Sequence, residues 1–357
     1  MTNAPSSDVV VRVTGHVGRI TLNRPRALNA LTLDMVSEIN AALAQWADDP
    51  AILAVIVDGA GERGLCAGGD IRSLYDAAKS ENLNLPKRFF AIEYRMNARI
   101  AAFPKPYIPI MDGIVMGGGI GLSAHGNHRL VTARATLAMP EVGIGFIPDV
   151  GGTFLLARAP DQLGTHAALT AARLTGADAL ALRLADSMID AAAIPQLIAD
   201  LESCSSLEQL LIRIDRAKIE PNSSTLASER AWITRCYHAD TIEQILKNLD
   251  NDPEPAAQAA AATIRRQSPS ALKLTLRALR RAATLSGLPA CLDQEYRIAL
   301  RCMTSHDFIE GVRAAVIDKD RTPRWQPATL EHVTPTMLDP YFASLGHDEL
   351  GLDIATL

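Results

Sequence analysis

A repeated order of short apolar run, glycine-rich turn and helical pattern constrains this 357-residue chain more than any other feature. Residues 52–58 are continuous and apolar, GAGERGLCAGGD follows them, and helical spacing starts at Ile71. Residues 106–111 read as a strand, GIVMGGGIG as a second glycine turn, and residues 121–125 as the start of a helix. Residues 130–133 read as another strand, ahead of a loop over 138–152 rich in Gly and Pro. Apolar runs this short, bounded by turn residues, fit fully buried strands. Strands that alternate with helices build an α/β fold, whose ligands collect at the strand ends.

Residues 9–22 alternate and are rich in Val and Ile, with a turn at 14–18, which predicts a hairpin. Helical patterns cover 33–46, ended by residues 48–50, and 89–103, closed by Pro104. Strand-like runs stop near residue 200. Ala, Leu, Arg and Glu then dominate residues 207–315, with breaks near Pro221, residues 252–255, Pro269 and Pro289. The expected organisation is an α/β core with the site over residues 1–200. A mainly helical region over 201–357 covers the site or mediates assembly.

Composition narrows the function by exclusion. With 48% hydrophobic and 21% charged residues, the chain has ample material for a buried core. A net charge of -5 and a pI of about 5.9 disfavour a nucleic-acid partner. An anionic ligand would therefore need local Arg and Lys. The five cysteines are scattered and lack C-x-x-C spacing, which fits a reducing compartment, read here as cytoplasmic or another reduced intracellular compartment. The N-terminus shows no secretory pattern, and no uncharged apolar run reaches the roughly 18 residues that span a bilayer. His125 and His128 form an H-x-x-H pair without H-E-x-x-H or a nearby carboxylate, so no metal is expected. Cys66 has no evident base partner and reads as packing, and Ser305 and Asp307 read as helix caps.

The glycine loops carry the first chemical signal. In CAGGD and MGGGIG, glycine allows positive φ and a close approach of backbone to ligand. Two such turns, each after a strand, can aim one N–H apiece at a single oxygen and so polarise a carbonyl. Neither is a P-loop, because no G-K-[ST] follows. The second signal is MPEVGIGFIPDVGG, with Glu141 and Asp149 eight residues apart. Gly143, Gly145 and Pro148 argue against a continuous helix, so a folded loop must bring the acids together. Two converging carboxylates can divide acid, base and nucleophile roles as their pKa values are pushed apart.

NRPRALNAL, LCAGGDI, KPYIPIMDGIVMGGGIGLS and MPEVGIGFIPDVGGT resemble, in order and spacing, the enoyl-CoA hydratase (crotonase) superfamily. The resemblance implies a ββα spiral core and an oxyanion hole made by the N–H groups of Ala67 and Gly118. It implies coenzyme A contacts at Arg26, Gly68, Gly69, Asp70 and Ile71. Hydratases of this pattern carry one glutamate at the position of Gly121 and another at that of Glu141. Here the first is absent, and an acid stands instead at Asp149. That combination looks like the 3-hydroxyisobutyryl-CoA hydrolases.

FFAIEYRMN and the stretches SPSALKLTLRAL and EYRIALRCMTSHDFIEGVRAAVIDKDRTPRWQP are similar to the same subgroup. Substrate contacts are thereby implied at Glu93, Gly117 and Gly121. The implied activity is hydrolysis of a short branched 3-hydroxyacyl-CoA thioester, as in valine breakdown, with Glu141 as nucleophile or general base. No metal or organic cofactor is implied beyond coenzyme A in the substrate, and a homo-oligomer is expected from the family. The rivals are an enoyl-CoA hydratase or isomerase, for which Asp149 has no task, and a crotonase-like RNA-binding or scaffold protein, which the acidic pI disfavours.

Overall fold

The chain, described over residues 8–352 in a computed structural model, begins with an antiparallel hairpin of β1 (Val9–Thr14) and β2 (Val17–Leu22). The reading of the N-terminus as free of a secretory pattern falls partly on residues 1–7, outside the described residues. After helix α1 (Leu33–Asp48), β3 (Ala54–Gly59) pairs parallel to β2. From there the chain alternates between two sheets. β4 (Tyr107–Met111), β6 (Leu130–Thr132), β9 (Ser187–Ile189) and β10 (Lys218–Ile219) extend the first, which reads β1-β2-β3-β4-β6-β9-β10. β5 (Ile114–Met116), β7 (Thr136–Ala138) and β8 (Leu174–Thr175) form the second, in the order β5-β7-β8. The α/β spiral expected from the sequence is present.

The large sheet is covered on both faces, which is why β3 and β4 are apolar at nearly every position. One buried cluster runs from Val9 to Leu350 and draws on the α/β part and the C-terminal helices alike. A smaller one packs Ile56, Ile108 and Leu130 against Leu197, Leu201 and Leu210 on the other face. Beyond residue 200 the described residues form helices joined by loops, with β10 as the one strand, paired with β9. Sequence periodicity does not reveal a two-residue strand whose only reason to form is a sheet edge supplied from elsewhere. Among the described residues no helix is long and apolar enough to cross a membrane.

Two helix starts differ from expectation. Helix α3 (Asn84–Ala101) follows α2 (Ile71–Lys79) and begins before residue 89, because Pro86 falls in a first turn where its missing N–H costs nothing. Helix α4 (Gly118–Ser123) begins at the glycines themselves. Gly117, at φ 49°, turns the chain so that Gly118 is the first helical residue, with its N–H unused by the helix.

The two glycine loops lie side by side because residues 63–66 run along the β4–β5 corner. Leu65 N donates to Asp112 O at 2.9 Å, Cys66 N to Ile114 O at 3.0 Å, and Met116 N to Cys66 O at 2.9 Å. Gly64 is obligatory there: a Cβ would stand 2.1 Å from Ile114 N. Buried Asn29 ties in the preceding loop, donating to Ala60 O (3.1 Å) and Gly64 O (3.0 Å) and accepting from Arg24 N (2.9 Å). Asn29→Ala strands all three backbone groups and should destabilise the fold by about 2 kcal/mol or more. Urea unfolding of the variant checks this, and an unchanged midpoint would show that the Asn29 bonds do not hold the loops.

Candidate active site

The two glycine loops, the 138–152 loop and α3 converge on a cavity of about 320 Å³. Ala67, Gly68, Gly69, Ile71, Gly117, Gly118, Glu93, Glu141 and Asp149 all line it. A larger cleft of about 600 Å³ lies between helices near Glu243 and Arg265 and holds none of these residues.

The backbone donors differ from the sequence expectation. Ala67 N–H is already committed to Leu28 O at 3.0 Å, so it is not a free donor to a ligand. Gly68 N leans on Cys66 Sγ at 3.4 Å. Gly68 has φ 108° and turns the chain between Ala67 and Gly69. Gly69 N then lies 3.3 Å from the point where a Cβ on Gly118 would stand. Among the described residues, neither Gly69 N nor Gly118 N has a protein acceptor. The free pair is therefore Gly69 and Gly118, which corrects Ala67. Spacing alone did not show which N–H in CAGGD the neighbouring NRPRALNAL loop had taken.

Three carboxyl groups share the cavity wall. Glu141 opens a short 3-10 turn (Glu141–Ile144), is 6% exposed, and its Oε2 has no partner. Asp149 accepts a hydrogen bond from Tyr94 Oη at 2.6 Å. Glu93 projects from α3 and leaves its Oε1 without a partner. Burial raises the carboxyl pKa of all three, and the charge of Asp149 raises Glu93 and Glu141 further. Asp149, steadied by the Tyr94 hydroxyl, is pushed up only to about 7. Burial thus favours the protonated form of Glu93 and Glu141, while Asp149 titrates near neutrality.

Gly121 is not a wall of the cavity, which corrects its expected substrate contact. A Cβ at this position would stand 2.6 Å from Val150 Cβ and 2.9 Å from Asn97 Nδ2. A glutamate has no room here. Arg26 lies exposed on the short Pro25–Ala27 turn, outside the cavity lining. Asp70 is also outside it. Its carboxylate caps α2 by accepting from Ser73 N (3.4 Å) and pairs with Arg24 at 3.1 Å. Buried His125 bonds Val150 O at 2.8 Å, whereas His128 faces Asn127. The Cys66 thiol is buried and pushed up to about 12, in keeping with packing.

Sequence reasoning missed Tyr94, Asn97 and Glu295. Asn97 is fully buried one helical turn after Glu93, with both polar atoms unpartnered. Glu295 is fully buried on the helix Leu288–Cys302, between core residues Leu292 and Ile298. A signal existed for both. Each polar residue sits on the apolar stripe of its helix, where a buried charge is costly unless it has work or partners.

Comparison with known proteins identifies what this arrangement is similar to. The enoyl-CoA hydratase/isomerase family profile matches residues 17–342. The 3-hydroxyisobutyryl-CoA hydrolase, mitochondrial, of Mus musculus is 42% identical over 352 residues, covering 97% of this chain and 91% of the relative. Its Gallus gallus counterpart is 40% identical over 354 residues, with the same two coverages, 97% and 91%. A crystal structure of a carnitinyl-CoA dehydratase from Mycobacterium thermoresistibile superposes with a TM-score of 0.92 at 47% identity, covering 97% of this chain and 98% of that one. The cytoplasmic expectation is overturned, since these hydrolase relatives are named as mitochondrial. Free cysteines report a reducing environment and carry no address within the cell.

The raised carboxyl groups make stability fall as pH rises. Asp149 moves from an ordinary value near 4 to about 7, so the folded state binds more protons than the unfolded chain between those limits. Its contribution is complete below about pH 4 and lost above about pH 7. Asp149→Asn should therefore raise the thermal midpoint by about 2 °C or more at pH 8, with a smaller gain at pH 5. Equal shifts at the two pH values, measured by calorimetry, would refute the raised Asp149.

Proposed function

The chain belongs to the enoyl-CoA hydratase/isomerase family, and from that membership we propose that it hydrolyses a short branched 3-hydroxyacyl-CoA thioester of the 3-hydroxyisobutyryl-CoA kind to the free acid and coenzyme A. The observation that carries the reading is the space at Gly121 filled by Val150 and Asn97, together with the buried pair Glu141 and Asp149 in the cavity lining. Reversible hydration calls for a second acid where Val150 and Asn97 leave no room. Relatives at 40% and 42% identity over 97% of the chain that are named 3-hydroxyisobutyryl-CoA hydrolases support it.

In the proposed reaction the thioester carbonyl oxygen lies between the N–H groups of Gly69 and Gly118. These donors favour the negative charge that develops on that oxygen, and each is worth roughly 100- to 1,000-fold in rate. Glu141 attacks the carbonyl carbon to give a mixed anhydride, or removes a proton from a water that attacks instead. Either way Glu141 acts as the carboxylate, the form that burial disfavours. Asp149, titrating near pH 7 on the same cavity wall, can accept a proton from it. As the tetrahedral adduct collapses, the C–S bond breaks and the coenzyme A thiolate leaves. On the anhydride route a water then adds to the acyl carbon, the C–O bond to Glu141 breaks, and the free acid departs while Glu141 returns as a carboxylate. Asp149 or Glu93 would meet the substrate's 3-hydroxyl.

Gly68 and Ile71 would hold coenzyme A near the mouth, and Gly117 the acyl part. The chemistry calls for no metal or organic cofactor. On the same proposal residues 1–200 carry the site and 201–357 cover it, in keeping with Ala315 and Val316 in the cavity lining. A homo-oligomer is proposed on family grounds.

Thiol release from 3-hydroxyisobutyryl-CoA, read beside loss of the enoyl absorbance from crotonyl-CoA, tests the reading. Wild type should release thiol, and Glu141→Ala should lower kcat by about 100-fold or more. Asp149→Ala should also lose rate, by at least about 10-fold. Enoyl loss without thiol release would overturn the hydrolase in favour of a hydratase. Gly121→Glu should gain no hydratase activity and should melt earlier than wild type, because overpacking typically costs about 1–3 kcal/mol. A soluble variant that hydrates crotonyl-CoA would remove the steric argument.

A further inference from the structure

The loop that presents Asp149 is held in an unfavourable backbone conformation by a residue far along the chain. Gly152 N donates to Asp149 O at 2.6 Å, closing a four-residue turn. Its two central residues, Val150 and Gly151, have φ of 53° and 80°. Those signs belong to a type I′ turn, whose first central position is normally filled by Asn, Asp or Gly. A β-branched residue with positive φ is an outlier that persists only when its surroundings impose it. Left to itself, a valine here would return to negative φ and swing Asp149 away from its present direction.

Two groups hold the turn. His125 Nε2 bonds Val150 O at 2.8 Å, and since the acceptor is a carbonyl, this nitrogen carries the proton. Glu295 supplies the stronger grip. Its Oε2 accepts from Gly151 N at 2.6 Å, its Oε1 accepts from Thr153 N at 2.8 Å, and the Thr153 hydroxyl donates to Oε1 as well. All three bonds are buried, and Glu295 has no exposed surface. They also account for a carboxylate on the apolar stripe of a core helix, outside the cavity lining.

We propose that Glu295 is a positioning residue for Asp149, clamping Gly151 and Thr153 so that Val150 stays in the left-handed region and the Asp149 carboxylate stays on Tyr94 and the cavity. The assignment rests on the hydrolase reading, in which Asp149 takes part in the reaction. Glu295 does not line the cavity. Its effect must pass through the turn. The clamp also sets the floor beneath Gly121, because it fixes the valine that meets the missing side chain.

The test is a double-mutant cycle on thiol release, with kcat and KM measured separately. Glu295→Gln keeps the shape but places an amide NH2 opposite one of the two backbone donors. It should lower kcat by about 10- to 100-fold, the scale expected for a misplaced reacting group, and leave KM within about threefold. On the Asp149→Ala background the same change should cost less than about twofold, because the group it positions is gone. An equal loss on both backgrounds, or no loss from Glu295→Gln alone, overturns the proposal. If Glu295→Gln does not fold, Thr153→Val removes one donor to the same carboxylate and takes its place in the cycle. It should lower kcat about threefold or more on the wild-type background only, and an unchanged kcat overturns the proposal. A wild type that releases no thiol fails the hydrolase reading itself. An active wild type whose Glu295 variants behave like it fails this proposal alone.

Discussion

Four carboxyl groups, Glu93, Glu141, Asp149 and Glu295, are buried close enough to feel one another, and the rest of the structure is arranged around that cost. A lone carboxylate taken out of water either finds partners or takes up a proton. The four divide along that line. Glu295 accepts three hydrogen bonds, which oppose burial and leave its pKa at about 8. Asp149 has the Tyr94 hydroxyl and sits at about 7. Glu141 and Glu93 each keep an oxygen unpartnered and are raised further. A site built in this way holds protons ready to move, at the expense of stability above neutral pH.

The backbone has to come equally close. The free N–H groups of Gly69 and Gly118 come close together only because Gly68 and Gly117 adopt positive φ and Gly64 lets the first loop lie against β5. The α/β spiral supplies the rigid frame, with β4 and β5 leading into the second glycine turn. Ala315 and Val316, from the C-terminal part, also line the cavity. The helix Leu288–Cys302 shares the main core with the strands, so the group that grips the Asp149 turn is itself immobilised by packing.

Much of this was legible beforehand. The hairpin, the buried strands and the glycine turns followed from period and composition, because backbone geometry imposes those patterns locally. The acids at 141 and 149 and the bare position at 121 were visible as residue types in a recognisable order. Less legible were helix starts at Asn84 and Gly118, where Pro86 and the glycines are permitted inside a first turn. The strand at 218–219 forms only because β9 offers an edge. Location within the cell was misread because cysteine chemistry reports redox state and nothing more.

The sequence by itself determined the fold class and the chemical inventory: backbone donors at glycine turns, a pair of acids in one loop, and no acid at 121. Tertiary structure decided how that inventory is used. It gave the Ala67 N–H to Leu28 and left Gly69 free, filled the space beside Gly121 with Val150 and Asn97, and brought Glu295 to a backbone turn 144 residues away. The physical reason is that a hydrogen bond or a close contact belongs to two groups at once. Local periodicity describes each group separately, and only the folded chain shows which partner each has found.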